Sequence, residues 1–242
     1  MILSQREIEE IAVAVVSDFQ MFFFGAEADI PDRSPLPMPI DQFASQYLKM
    51  DVSFCKLSAD GSVYGLTAYT DTEYLIETET GQCALNLKRN QIVMDEQFIL
   101  PGNVRSLCGK RRFTLAHECA HQILFQLDAD EQKFACHKKA LAAAGARHLT
   151  TREDWNEWQA NTLGAAILMP QTEVDRVMTI LNNGKQLIQY GYNFRSRDSG
   201  VMEAFCSFFG VSKSAAAIRL QQLGYLVKKQ NWKYTDPLDV WP

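Results

Sequence analysis

The run from Arg111 to Phe125 reads Arg-Arg-Phe-Thr-Leu-Ala-His-Glu-Cys-Ala-His-Gln-Ile-Leu-Phe and holds His-Glu-x-x-His at residues 117–121. A helix turns about 100° per residue, so His117 and His121 lie on one face, about a turn apart. Both imidazoles can then reach one metal ion. Glu118, one step round the helix, stands beside that ion, where a carboxylate can take a proton from an activated water. The chain has four histidines, and two of them fall at this spacing. Phe113, Leu115, Ala116, Ala120, Ile123 and Leu124 bury much of the same helix. A buried imidazole pair needs a partner, and a metal would supply one.

A zinc site needs a third protein ligand and an open position. The stretch Trp155 to Pro170 reads as a second helix, stopped by the proline. Along it Glu157, Asn161 and Gly164 recur at i, i+4 and i+7, giving a stripe with a carboxylate, an amide and a position without a side chain. Glu157 is expected as the third ligand and Asn161 as the group that orients a ligand. Gly164 with Ala165 is expected to let the two helices approach closely. The competing reading of Glu157 is a solvated surface acid. Asp154 and Glu153 are the nearest rival ligands, and His137 and His148 are more remote ones.

Arg-Phe-Thr-Leu-Ala-His-Glu-x-x-His, then Glu157-x-x-Ala160-Asn161, then Ile167-Leu168-Met169-Pro170 resemble the ImmA/IrrE family of bacterial metallopeptidases, whose members clip and inactivate helix-turn-helix repressors. The likeness extends over most of residues 40–226. Gly65-Leu66-Thr67-Ala68 and Ile92-Val93-Met94-Asp95 are similar to that family's strands, and Phe209 to Leu220 to its C-terminal helical segment. The resemblance implies one Zn2+ per chain on His117, His121 and Glu157, catalysis by Glu118, and a protein substrate, a transcriptional repressor. The chain departs from the family pattern in two places: Leu163-Gly164 stands where many relatives have Phe-Ala, and Gln159 where many have a second acid. Gln159 cannot supply a carboxylate, which favours Glu157.

A net charge of −5 gives no general electrostatic reason to bind nucleic acid or an anionic membrane. The six cysteines form no Cys-x-x-Cys pair and read as free thiols. With no cleavable leader pattern, this leads to the expectation of a cytoplasmic protein. No uninterrupted apolar run reaches the ~20 residues of a membrane span. The run from Ile11 to Phe24 is broken by Ser17, Asp18 and Gln20.

The expected fold class is α+β: a small twisted sheet packed on a zincin-like pair of metal-binding helices, with a helical C-terminal segment. Residues 1–39 supply an N-terminal helix (Ser4 to about Phe23) and a linker with four prolines. Residues 40–226 form the metallopeptidase domain, with motif helices at about 109–127 and 154–169, and residues 227–242 are a tail. A helix from Ile40 to Leu48 leads to short strands at 51–57, 63–69, 73–78, 83–87 and 91–98. Ile92, Val93 and Met94 are expected on a sheet edge, where an extended substrate can pair with the main chain. Residues 128–147 read as a connecting helix in which His137, with His148 beyond it, could orient substrate. Residues 172–181 read as another helix.

The stretch 190–200 reads as irregular and offers Tyr190, Tyr192, Arg195 and Arg197 as polar contacts. Residues 202–224 have a helix-turn-helix form, with Ser212 as N-cap and Gly224 as stop. Its second helix offers only Lys213 and Arg219 as basic groups, so substrate docking or core packing is expected there ahead of DNA contact. The tail, with Trp232 and Trp241, reads as a cover or partner contact. The leading functional reading is a zinc endopeptidase. The alternative is a non-catalytic, metal-containing regulatory module that binds a repressor or DNA.

Overall fold

The computed structural model describes residues 2–29, 33–78, 81–127, 134–138, 151–191 and 193–230. Helix α1 (Gln5–Phe24) starts at a capping box in which Ser4 and Glu7 satisfy each other's backbone N–H groups. Its Ile8, Ala12, Val16 and Phe19 stripe is buried in the main core. By length and hydropathy alone, Gln5–Ala28 would reach across a bilayer, although the sequence offers no unbroken apolar run. The packed stripe covers only part of that apolar content, since Val13, Met21, Phe22 and Phe23 are exposed. The proline-rich stretch is tied down beyond α1: Arg33 and the Leu36 N–H both bond the fully buried Glu173 carboxylate, at 2.5 and 2.7 Å.

A short helix α2 (Ile40–Gln42) with a π-helical turn (Phe43–Tyr47) leads into strand β1 (Asp51–Cys55). Strands β2 (Val63–Ala68), β3 (Thr72–Thr78), β4 (Gly81–Leu87) and β5 (Gln91–Asp95) follow. The expected strands are present, but they do not make one sheet. Among the described residues β3 and β4 pair only with each other, as a hairpin, while the principal sheet has the order β1-β5-β2-β6. Its fourth strand, β6 (Phe134–Lys138), lies inside the stretch expected to be a connecting helix; the flanking residues 128–133 and 139–150, His148 among them, lie outside the described residues. β5 is flanked on both sides, by β1 in parallel and β2 in antiparallel register. Ile92, Val93 and Met94 are therefore buried on an inner strand whose main chain is already paired, so they do not form the expected substrate-binding edge. Past Asp95 the chain turns into a 3-10 turn at Glu96–Phe98.

Period-two alternation gives this sheet two faces. Leu66, Ala68 and Val93 join Leu57, Val63 and Leu87 in a small outer cluster, while Ile92 and Met94 join the main core. Under that second face runs α3 (Cys108–Leu127), with every residue from Thr114 to Ile123 buried. It is covered all round because the sheet packs on one side and α4 (Arg152–Leu168) on the other. Thr151 and Asp154 close a capping box at the start of α4.

The C-terminal part consists of α5 (Gln171–Asn182), β7 (Leu187–Tyr190), β8 (Asn193–Phe194), α6 (Ser196–Phe209), α7 (Lys213–Gln222) and β9 (Leu226–Lys229). The stretch read as irregular thus holds β8 and the start of α6, just after β7. The start of the tail is β9, which pairs in parallel with β7. Tyr192, Trp232 and Trp241 lie outside the described residues. Ser212 caps α7 as expected, but Arg219 is fully buried, donating to Met169 O at 3.0 Å and paired with Glu9 of α1. The helix-turn-helix form here is a packing unit whose central cation faces inward.

Candidate metal centre

α3 and α4 come together at a position without a side chain. A Cβ on Gly164 would stand 3.1 Å from His117 N and 3.2 Å from Ala116 C and O, so only glycine allows the backbones this close. The close approach brings Glu157, two turns earlier on α4, over the His117–His121 face of α3. His121 Nε2 lies 3.0 Å from Glu157 Oε1 and 3.0 Å from His117 Nε2, and His117 Nε2 lies 3.4 Å from Glu157 Oε2. One ligand atom from each residue falls within 4.8 Å of the others. Asn161 Oδ1 is 3.1 Å from His117 Nδ1. An amide oxygen only accepts, so Nδ1 is the donor of this pair and Nε2 is left facing the cluster.

Electrostatics match this donor set. Burial, and then the charge of His117, push His121 below the usual imidazole range, so it stays in the neutral form that binds metal. Burial opposes ionisation of Glu157, yet hydrogen bonds from His117 and His121 outweigh it and hold the carboxyl far below the usual range. Burial raises Glu118 well above the usual range, and the charge of Glu157 adds to the effect. Glu118 is fully buried, and among the described residues neither of its carboxylate oxygens has a hydrogen-bond partner. A sealed, unpartnered carboxyl beside three converging donors is costly for the metal-free chain, and a cation in the cluster offsets that cost. The residues present therefore fit a zinc-type site of two imidazoles and a carboxylate.

The rival ligands are engaged elsewhere or stand apart. Asp154 caps α4, with its Oδ2 accepting from Thr151 N at 2.9 Å. Glu153 is exposed. Gln159, at the position where an acid was absent, accepts from Leu3 N at 2.7 Å and so faces α1. His137 lies on β6, where its backbone is paired opposite Gly65 of β2.

Two features were not read from the sequence. Gln122 of α3 donates to Thr67 Oγ1 at 2.7 Å and to Ala68 O at 2.9 Å, fixing β2 over the helix. Gly65, on the same strand, then rests directly on Glu118. The polar, buried Gln122 within an apolar helix was the available signal for the first. The second had none.

Residues 108–221, from the start of α3 almost to the end of α7, match the family model for the IrrE N-terminal-like domain of the M78 peptidases. That segment, a little under half of the chain, is similar to an M78 peptidase domain. No curated protein matches the chain. Both metal-motif helices lie inside the M78 segment, whereas α1 and strands β1 to β5 lie outside it.

Proposed function

We propose that the protein is a zinc-dependent endopeptidase with His117, His121 and Glu157 as metal ligands and Glu118 as general base. The observation that carries the reading is the convergence of those three side chains within 4.8 Å beside a sealed carboxylate that forms no hydrogen bond among the described residues. A structural metal site needs no base at that position. When bound, zinc supplies a Lewis acid that acidifies water and polarises a peptide carbonyl. Asn161 holds the His117 ring so that Nε2 faces the cluster. Glu118 takes a proton from the attacking water and returns it to the leaving amine nitrogen.

Support for a polypeptide substrate comes from the M78 match and from the position of β6, which among the described residues is at the edge of the sheet, next to the strand that covers Glu118. An extended chain added to β6 would replace the role first expected of Ile92, Val93 and Met94. The family resemblance makes a helix-turn-helix repressor the preferred substrate, and the free cysteines make the cytoplasm the preferred setting. The inward-facing Arg219 supports a packing role for α6 and α7 over DNA reading.

The test is metal content and hydrolysis measured together. Wild type should hold about one zinc per chain. His117→Ala and Glu157→Ala should lose it, while Glu118→Gln should keep zinc and lose hydrolysis of a repressor substrate. Full activity in Glu118→Gln would refute the catalytic assignment.

A further inference from the structure

The cover over Glu118 is as specific as the ligand set. β2 crosses α3 with Gly65 above Thr114 and Glu118, one helical turn apart on the same face. A Cβ on Gly65 would stand 2.6 Å from Glu118 Oε1, 3.1 Å from its Cδ and 2.7 Å from Thr114 Cγ2. The strand cannot rise freely to make room. Gln122 bonds it through Thr67 and Ala68, and β5 and β6 hold it on either side. Thr114 cannot swing aside easily either, because a β-branched side chain in a helix has few rotamers. The carboxylate is the flexible end of its side chain, so it is the group that would yield.

We propose that Gly65 is a positioning residue for the general base: the side chain missing from β2 is the slot that holds the Glu118 carboxylate beside the His117, His121 and Glu157 cluster. This rests on the endopeptidase reading for the role of Glu118 but not for the contact itself. Gly65 lies outside the M78 segment, so the matched domain does not contain the slot that seats its own base. Any side chain at residue 65 pushes the carboxylate out of place while leaving the three ligands on α3 and α4 untouched. Misplacing a catalytic group by about 1 Å can cost on the order of 100-fold in rate.

The experiment uses the full chain with zinc restored and fluorescein-labelled casein as the probe. Gly65→Ala should keep zinc content and chelator-competition affinity close to wild type, while kcat falls about 10- to 100-fold at similar KM. Urea midpoints, read without any substrate, complete a cycle. Gly65→Ala should lower the midpoint in the wild-type background and lower it much less once Glu118→Ala has emptied the slot. If Gly65→Ala does not fold, Gly65→Ala with Thr114→Ser removes the Cγ2 contact and leaves only the carboxylate to displace; the same kcat loss is expected. Additive midpoints, or an unchanged kcat in either variant, would overturn the inference while the peptidase reading stands. Casein untouched by wild type and by both variants would overturn the peptidase reading, and with it the role given to Gly65; the urea cycle would still report the contact.

Discussion

Replacing Glu118 by Gln should change how the stability of the metal-free protein depends on pH. The carboxyl is sealed from solvent without a partner, and burial raises its pKa above the ordinary value of 4.5. A group whose pKa is raised by folding contributes its full share below the unfolded value, and that share is lost as pH rises through the folded value. From pH 4.5 upward the wild-type apoprotein should therefore lose stability relative to Glu118→Gln, which does not titrate there. One proton sets the limiting slope at about 1.4 kcal/mol per pH unit. The gap levels off once the folded-state pKa has been passed. The difference between the two proteins cancels most of the titration of His121 and Glu157, which both retain. Saturating zinc should flatten the slope, because a nearby dication favours the ionised carboxylate. The assay is urea unfolding, followed by circular dichroism, of both proteins from pH 4.5 to 8, with chelator and again with zinc. Parallel stability curves in chelator would refute the reasoning, since they would mean that Glu118 ionises as easily inside the fold as in the unfolded chain.

Asn161→Ala should leave the fold intact but weaken zinc about 10- to 100-fold in chelator competition, because the His117 ring loses the acceptor that orients it. Gly164→Ala should destabilise by about 1–3 kcal/mol, since its new methyl meets only backbone and the two helices must part. Zinc affinity should fall with it, and a variant as stable and as tight as wild type would contradict the close contact. Glu9→Ala leaves the Arg219 guanidinium buried with the Met169 carbonyl as its remaining partner among the described residues. A loss of about 3 kcal/mol in urea unfolding is expected, with zinc content unchanged in the folded fraction.

What could be read from the sequence was what is encoded locally. His117 and His121 share a face by spacing alone, and Glu157, Asn161 and Gly164 form a stripe on one helix, so the residues that converge and their close packing were legible in the sequence. The capping signals at Ser4 and Ser212 were equally local. Strand order was not. β5 carries the apolar pattern of a buried strand, and no pattern within it tells a paired edge from a free one, so Ile92 to Met94 were assigned to the wrong place in the sheet. β6 was hidden in an alanine- and lysine-rich stretch whose composition favours helix, and pairing with β2 overrides that propensity. β9 joins β7 across α6 and α7, a parallel pairing that depends on the intervening helices rather than on its own residues. The Gly65 slot depends on which strand crosses α3 and at what height, which neither segment specifies alone.

The contacts of α1 set an order of events during synthesis. The helix is made before the elements it packs on: its Leu3 anchor on α4 lies 156 positions ahead and its Glu9 partner on α7 lies 210 ahead. At 5–20 residues per second the ribosome needs roughly ten to forty seconds to deliver Arg219 after Glu9. Until α4 has been made, earlier in the same interval, the Ile8, Ala12, Val16 and Phe19 stripe has no α4 to cover it, and the nascent chain displays an apolar helix. The uncovered stripe therefore precedes the candidate metal cluster, because α3 and α4 must both have emerged before Glu157 can meet His117 and His121.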